Sequence, residues 1–153
     1  MTNMKIVFLL IVILISGCSE ENDPKTLFDK GKYKEASELW KPMAENGDLY
    51  AQNYLAIQYY LGLGVNRDYK MAKQWFEKAA SNGFADAQYN LGNMYENGEF
   101  VEKNYVDAYK WFYAAKENGN VHAEKRMQSL GEEHKLFPNQ MNHAASLAKE
   151  FIN

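Results

Sequence analysis

An all-α solenoid of antiparallel helix pairs, with a repeat of about 36 residues, is the fold class this sequence predicts. Three observations predict it. The stretch "AQNYLAIQYYLGLGVNRDYKMAKQWFEKAASNGF" at residues 51–84 begins again, in altered form, at residue 87 as "AQYNLGNMYENGEFVEKNYVDAYKWFYAAKENGN". The offset of 36 holds without an insertion, aligning Ala51, Ala87 and Ala123, then Leu55, Leu91 and Met127, and also Gly47, Gly83 and Gly119. Aromatics are plentiful (11 Tyr, 8 Phe, 3 Trp) and Pro is scarce, a mix that favours packed helices over disorder.

Residues 1–17 stand outside that pattern. Lys5 and the chain amine precede ten unbroken apolar residues, Ile6 to Ile15. A bilayer span needs about 20 residues, but ten suit the hydrophobic region of a signal peptide. The small residues Ser16 and Gly17 then lead to Cys18, the one cysteine of the 153-residue chain. This arrangement resembles a bacterial lipobox, in which cleavage before the cysteine frees it to carry lipid. The resemblance implies lipid attachment at Cys18, with the membrane as partner through acyl chains worth about 0.8 kcal/mol per buried methylene. An ordinary signal peptide with a coincidental cysteine, or an uncleaved anchor, are the other readings. Residues 18–23 form the lipidated cysteine and a short acidic tether. Ser19, rather than Asp, after the cysteine implies the periplasmic face of the outer membrane, by similarity to enteric lipoproteins.

The remaining elements follow in order. Residues 24–50 make a partial first repeat, with Tyr33, Ala36, Leu39-Trp40 and Ala44 in the shared register. Residues 51–86 make a full one. Ala51, Leu55, Ala56 and Tyr59 fall at helical spacing, Gly62 and Gly64 end that helix, and Asp68 is placed to cap the next. Tyr69, Ala72, Trp75-Phe76 and Ala79-Ala80 give the second helix its apolar face, which "SNG" at residues 81–83 terminates. Residues 87–122 repeat the plan, with Tyr105, Ala108 and Trp111-Phe112 in the same places. Residues 123–153 hold a partial repeat and a capping helix: Pro138 marks a helix start, and Met141, Ala144-Ala145, Leu147-Ala148 and Phe151-Ile152 supply an apolar face. One helix pair cannot bury its own faces, so each copy covers its neighbour.

The segments "AQYNLGNMY" and "DAYKWFYAAKENG", separated by a Gly-containing loop, resemble the Sel1-like repeat, a variant of the tetratricopeptide class, over about residues 33–134. Two departures are local. Ala56 stands where Gly92 supplies the usual glycine, and Phe100 where Gly64 does. The resemblance implies a right-handed superhelix whose first helices line a concave side, and an adaptor role toward a protein or peptide partner.

Positions that differ between copies are candidates for that contact. A stripe on the first helices reads Tyr50, Asn53, Ile57, Tyr60, then Asp86, Tyr89, Asn93, Glu96, then His122, Lys125, Ser129, Glu132. Tyr and Ile beside Asn and acids would form a partly apolar, partly hydrogen-bonding groove on a face apart from the packing positions. A tolerated solvent face is the other reading. The narrower alternative to an adaptor is an immunity protein that neutralises a secreted toxin.

Composition argues against other classes. The net charge of −3 comes without a basic block, so nucleic acid is not an expected partner. His122, His134 and His143 lack a ligand pattern, and lipidation of Cys18 would leave no thiol, so neither metal nor cofactor is expected. "GLGV" at residues 62–65 lacks the strand before it and the Lys-Ser/Thr after it that a phosphate loop needs. Cysteine-rich relatives of the repeat have been linked to hydrolysis of cell-wall-active antibiotics, but their paired cysteines are missing here. No enzyme is expected; a cell-wall hydrolase would need convergent carboxylates, for which Glu96 and Glu132 are the candidates.

Overall fold

The computed structural model describes residues 22–134 and 136–152, so Cys18 and the apolar segment before it lie outside the described residues. The described residues form eight α-helices: α1 (Pro24–Asp29), α2 (Tyr33–Glu45), α3 (Leu49–Leu61), α4 (Tyr69–Ser81), α5 (Ala85–Asn97), α6 (Tyr105–Glu117), α7 (Ala123–Glu133) and α8 (Pro138–Ala148). A 3-10 turn, Lys149–Phe151, closes the chain, and no strand occurs among the described residues.

The punctuation follows the sequence. The Asp48 carboxylate accepts from the Ala51 amide at 2.7 Å, and Asp68 accepts from Met71 at 3.0 Å. Each such cap satisfies an orphan donor and stabilises its helix by about 1 kcal/mol. Gly62 and Gly98 end α3 and α5 in the left-handed region, both with φ of 72°.

Packing is successive: α3 pairs with α4, α4 with α5, and α5 with α6. Small residues of one helix meet large ones of the next. Trp40, Leu55, Phe76 and Leu91 are buried among Ala36, Ala72, Ala79 and Ala80, and a second cluster joins Phe112, Met127, Leu130 and Ala144. At Gly92 a Cβ would lie 2.5 Å from the Phe112 ring, so α5 and α6 sit as close as glycine permits. The equivalent places in the preceding copy hold Ala56 and Phe76.

The last helix breaks the pattern. α8 packs chiefly on α6 instead of pairing with α7. The apolar run predicted a helical face through Phe151-Ile152, yet the helix stops at Ala148. The Phe151 ring lies 4.6 Å from Trp111, while its carbonyl accepts from Gln88 Nε2 at 2.8 Å and Asn118 Nδ2 at 2.7 Å. Residues 149–152 are therefore tied back to α5 and α6 by both a tilted ring contact and hydrogen bonds.

Candidate functional site

The helices α3, α5 and α7 present a common face, and side chains bridge them there. Asn90 Nδ2 donates to Asn53 Oδ1 at 3.1 Å between α3 and α5. Between α5 and α7, Arg126 donates from Nε and Nη2 to both oxygens of Glu96, at 2.8 and 2.7 Å. Asn120 adds a bond to Asp86 at 2.8 Å. Paired in this way, the bridges hold the helices at a set spacing and leave clefts beside them.

Two clefts result, one on each side of α5. The first, of about 280 Å³, is lined by Ile57, Tyr60, Leu61, Phe76, Asn90, Asn93 and Met94. Its walls are mostly apolar, with two side-chain amides at one side. The second, of about 200 Å³, is lined by Tyr89, Val121, His122, Lys125, Arg126 and Ser129. It carries basic groups, a hydroxyl and an aromatic ring, the Tyr89 ring lying 6.2 Å from the His122 imidazole. A larger trough of about 560 Å³ runs beside Met71, Gln74, Trp75 and Lys78, but α4 and its end alone line it, so no groups converge there from separate elements.

The stripe expected from sequence is thus divided. Ile57, Tyr60 and Asn93 enter the apolar cleft, and Tyr89, His122, Lys125 and Ser129 enter the basic one. Two of its members do not lie on an open face. Asn53 is only 3% exposed and Glu96 5%, because their polar ends form the bridges to Asn90 and Arg126. Glu96 is therefore a neutralised, sequestered carboxylate and makes no convergent acid pair with Glu132, which is exposed outside both clefts. Tyr50 also lies outside them, its ring 4.5 Å from Tyr54 and 6.4 Å from Phe84. Asp86 is exposed but occupied by Asn120.

Sequence reading missed Leu61, Phe76, Asn90, Met94, Val121 and Arg126. Asn90 and Arg126 occupy equivalent places in their copies yet differ in charge, which is the signal that could have revealed them. The loop after α5 adds another. Phe100 holds a φ of 59°, in the left-handed region that disfavours a side chain, and its ring is 58% exposed. It stacks on Tyr69 at 6.4 Å, and Tyr69 meets Tyr60 edge-on at 5.5 Å. Tyr60 in turn donates to Glu99 of that loop. Burial first, and then this bond, push the Tyr60 phenol above its ordinary pKa, so it stays a neutral donor at physiological pH.

Apolar walls, side-chain amides and basic groups equip this face to hold a ligand. Among the described residues no group of three or more His, Cys, Asp and Glu could hold a metal ion. No described helix is long and apolar enough to cross a membrane.

Comparison with known proteins places this geometry. The model of the Sel1 repeat matches residues 49–84 and 85–120, setting the unit boundaries two residues before those read from sequence. Among solved structures, a Sel1 repeat protein from Oxalobacter formigenes is 34% identical with a TM-score of 0.68, over 82% of this chain and 54% of that one. A protective antigen present in uropathogenic Escherichia coli strains, displaying an SLR fold, is 29% identical with a TM-score of 0.71, over 87% of this chain and 30% of that one. The chain thus spans about half or less of the length of these structures. No curated protein matches significantly. Sel1 repeats are commonly protein–protein interaction modules, and with two consecutive copies of the repeat and a fold similar to that of solved members, this chain belongs to the Sel1 repeat proteins.

Proposed function

We propose that this protein is a lipid-anchored envelope module that holds a segment of a protein partner across the α3, α5 and α7 face. The observation that carries the reading is the pair of clefts at positions where the copies differ. Packing positions agree between copies, whereas Ile57, Tyr60 and Leu61 give way to Asn93, Glu96 and Asn97 one repeat later. Leu61 is 51% exposed at the mouth of the apolar cleft, a cost in water that a bound apolar group would offset. Support for the anchor is the apolar run before Ser16, Gly17 and Cys18; support for the outer membrane is Ser19 alone.

Leu61 and Lys125 are both exposed, so altering them tests binding without opening the core. Tyr60 and Tyr89 are less clean probes, because Tyr60 bonds Glu99 and Tyr89 packs 5.4 Å from the buried Phe112 ring. The full-length chain, and a Leu61→Asp/Lys125→Glu variant of equal helicity, would be used to capture partners from membrane extracts for mass spectrometry. The expected result is one protein held by the wild type and lost by the variant. Retention of every partner by the variant would sink the groove reading. Capture of a secreted toxin would make the role immunity rather than assembly. Separately, Cys18→Ala should abolish incorporation of labelled palmitate and release the protein from membranes; unchanged membrane retention would refute the lipid anchor.

A further inference from the structure

We infer that the bound segment is an acidic-apolar one: a large apolar side chain seated in the α3/α5 cleft and, three or four residues away along the chain, an Asp or Glu side chain in the α5/α7 cleft. The inference rests on the groove reading above and specifies its ligand. The first cleft offers Ile57, Leu61, Phe76 and Met94 around a space of about 280 Å³, large enough for one branched or aromatic side chain. Asn93 stands at its edge and makes no hydrogen bond among the described residues, and Asn90 uses its amide nitrogen on Asn53 while its oxygen makes none among them. An amide that both donates and accepts can read a peptide group of an extended chain.

Charge decides the second half of the motif. The chain is acidic overall, with a net charge of −3, yet the α5/α7 cleft is lined by His122, Lys125 and Arg126 with no carboxylate among its lining residues. Arg126 is committed to Glu96 through Nε and Nη2. Lys125 is exposed and makes no ion pair among the described residues, and the Ser129 hydroxyl lies one turn along the same helix. An ammonium and a hydroxyl on one wall suit a carboxylate. The buried Glu96 makes the site selective, since it cancels the arginine and leaves Lys125 as the uncompensated charge.

The spacing follows from α5, which supplies Asn93 to one cleft and Tyr89 to the other. The two cleft centres lie one helix spacing, ~10 Å, apart across α5, and Asn93 and Tyr89, four positions apart on one face, set them one turn, ~5.4 Å, apart along it. The resulting diagonal of roughly 11 Å is three to four residues of extended chain at about 3.3 Å each.

The test uses the full-length chain and synthetic peptides blocked at both ends, each with one Leu and one Glu separated by one to six residues in a Gly-Ser background. Fluorescence anisotropy should show the tightest binding at a separation of three or four. Replacing that Glu by Gln should weaken binding about tenfold. Lys125→Gln should weaken the Glu peptide by a similar factor and leave the Gln peptide unchanged, whereas Leu61→Ser should weaken both. Equal binding of Glu and Gln peptides, or binding indifferent to the separation, would overturn the inference. Failure of the blocked peptides to bind, where the same peptides bind with a free C-terminus, would also overturn it, since the carboxylate would then be terminal. These failures are distinct from failure of the groove reading, which is decided by whether the Leu61→Asp/Lys125→Glu variant keeps the partner of the whole protein.

Discussion

The junction between α5 and α7 and the junction between α3 and α5 are built from equivalent places 36 residues apart, yet an ion pair spans the first where the second leaves apolar space. In the first, Glu96 and Arg126 meet as a bidentate ion pair. In the second those places are Tyr60 and Asn90; Tyr60 turns to Glu99, Asn90 turns to Asn53, and the space between them is the apolar cleft. The loops diverge in the same way. Gly64 lies against the α2 N-terminus, where a Cβ would be 2.4 Å from the Tyr33 carbonyl carbon, whereas Phe100 projects a ring in that position and stacks it on Tyr69. A repeat scaffold can thus keep its core constant and change one pair of side chains to turn an ion-paired bridge into an apolar cleft.

If the core is truly common to both copies, Trp75→Ala and Trp111→Ala should each cost about 3–5 kcal/mol in urea denaturation, as large-to-small changes at buried sites. Losses differing by more than about half of that would mean that the copies do not share one packing scheme. A smaller effect separates the loops. Gly64→Ala brings a side chain into both a left-handed backbone and a backbone clash, and should cost about 3 kcal/mol. Phe100→Gly relieves the same backbone but gives up the Tyr69 stack and adds unfolded-chain entropy, so it should stay within about 1 kcal/mol of wild type. Similar losses from the two changes would show that the loops are used alike. The smallest contrast lies at the bridges: Arg126→Ala strands the buried Glu96 carboxylate and should cost about 2 kcal/mol, against under about 1 kcal/mol for Asn90→Ala. Equal midpoints would erase the distinction between the ion-paired and the amide-bridged junction.

Much of this was legible beforehand because the repeat carries its own internal comparison. Asp68 as a cap, Gly62 as a helix stop, Pro138 as a helix start and Trp75-Phe76 as core all follow from local chemistry read twice. The candidate face was legible only in part. Helical spacing placed Asn53 and Glu96 on the same stripe as Ile57 and Tyr60, but spacing cannot tell which polar group will find a partner on the neighbouring helix. Asn90 and Arg126 sit one position after the stripe, and it is they that reach Asn53 and Glu96. Gln88 was likewise invisible, since its bonds run to the Ala80 carbonyl and, 63 positions away, to Phe151.

By itself the sequence determined the helix pairs, their boundaries and the small-against-large core, because capping, glycine stops and 3.6-residue periodicity act within a turn or two of chain. Only the tertiary structure decided which of the varying positions are open. That depends on contacts between first helices that are about 36 residues apart, where a carboxylate and a guanidinium pair across one junction while the equivalent phenol and amide turn to other partners in the next. It also decided how the chain ends, since α8 settles on α6 and the last aromatic ring finds Trp111 rather than extending its own helix. Local interactions write the elements; the match or mismatch of polar partners across the stack writes the site.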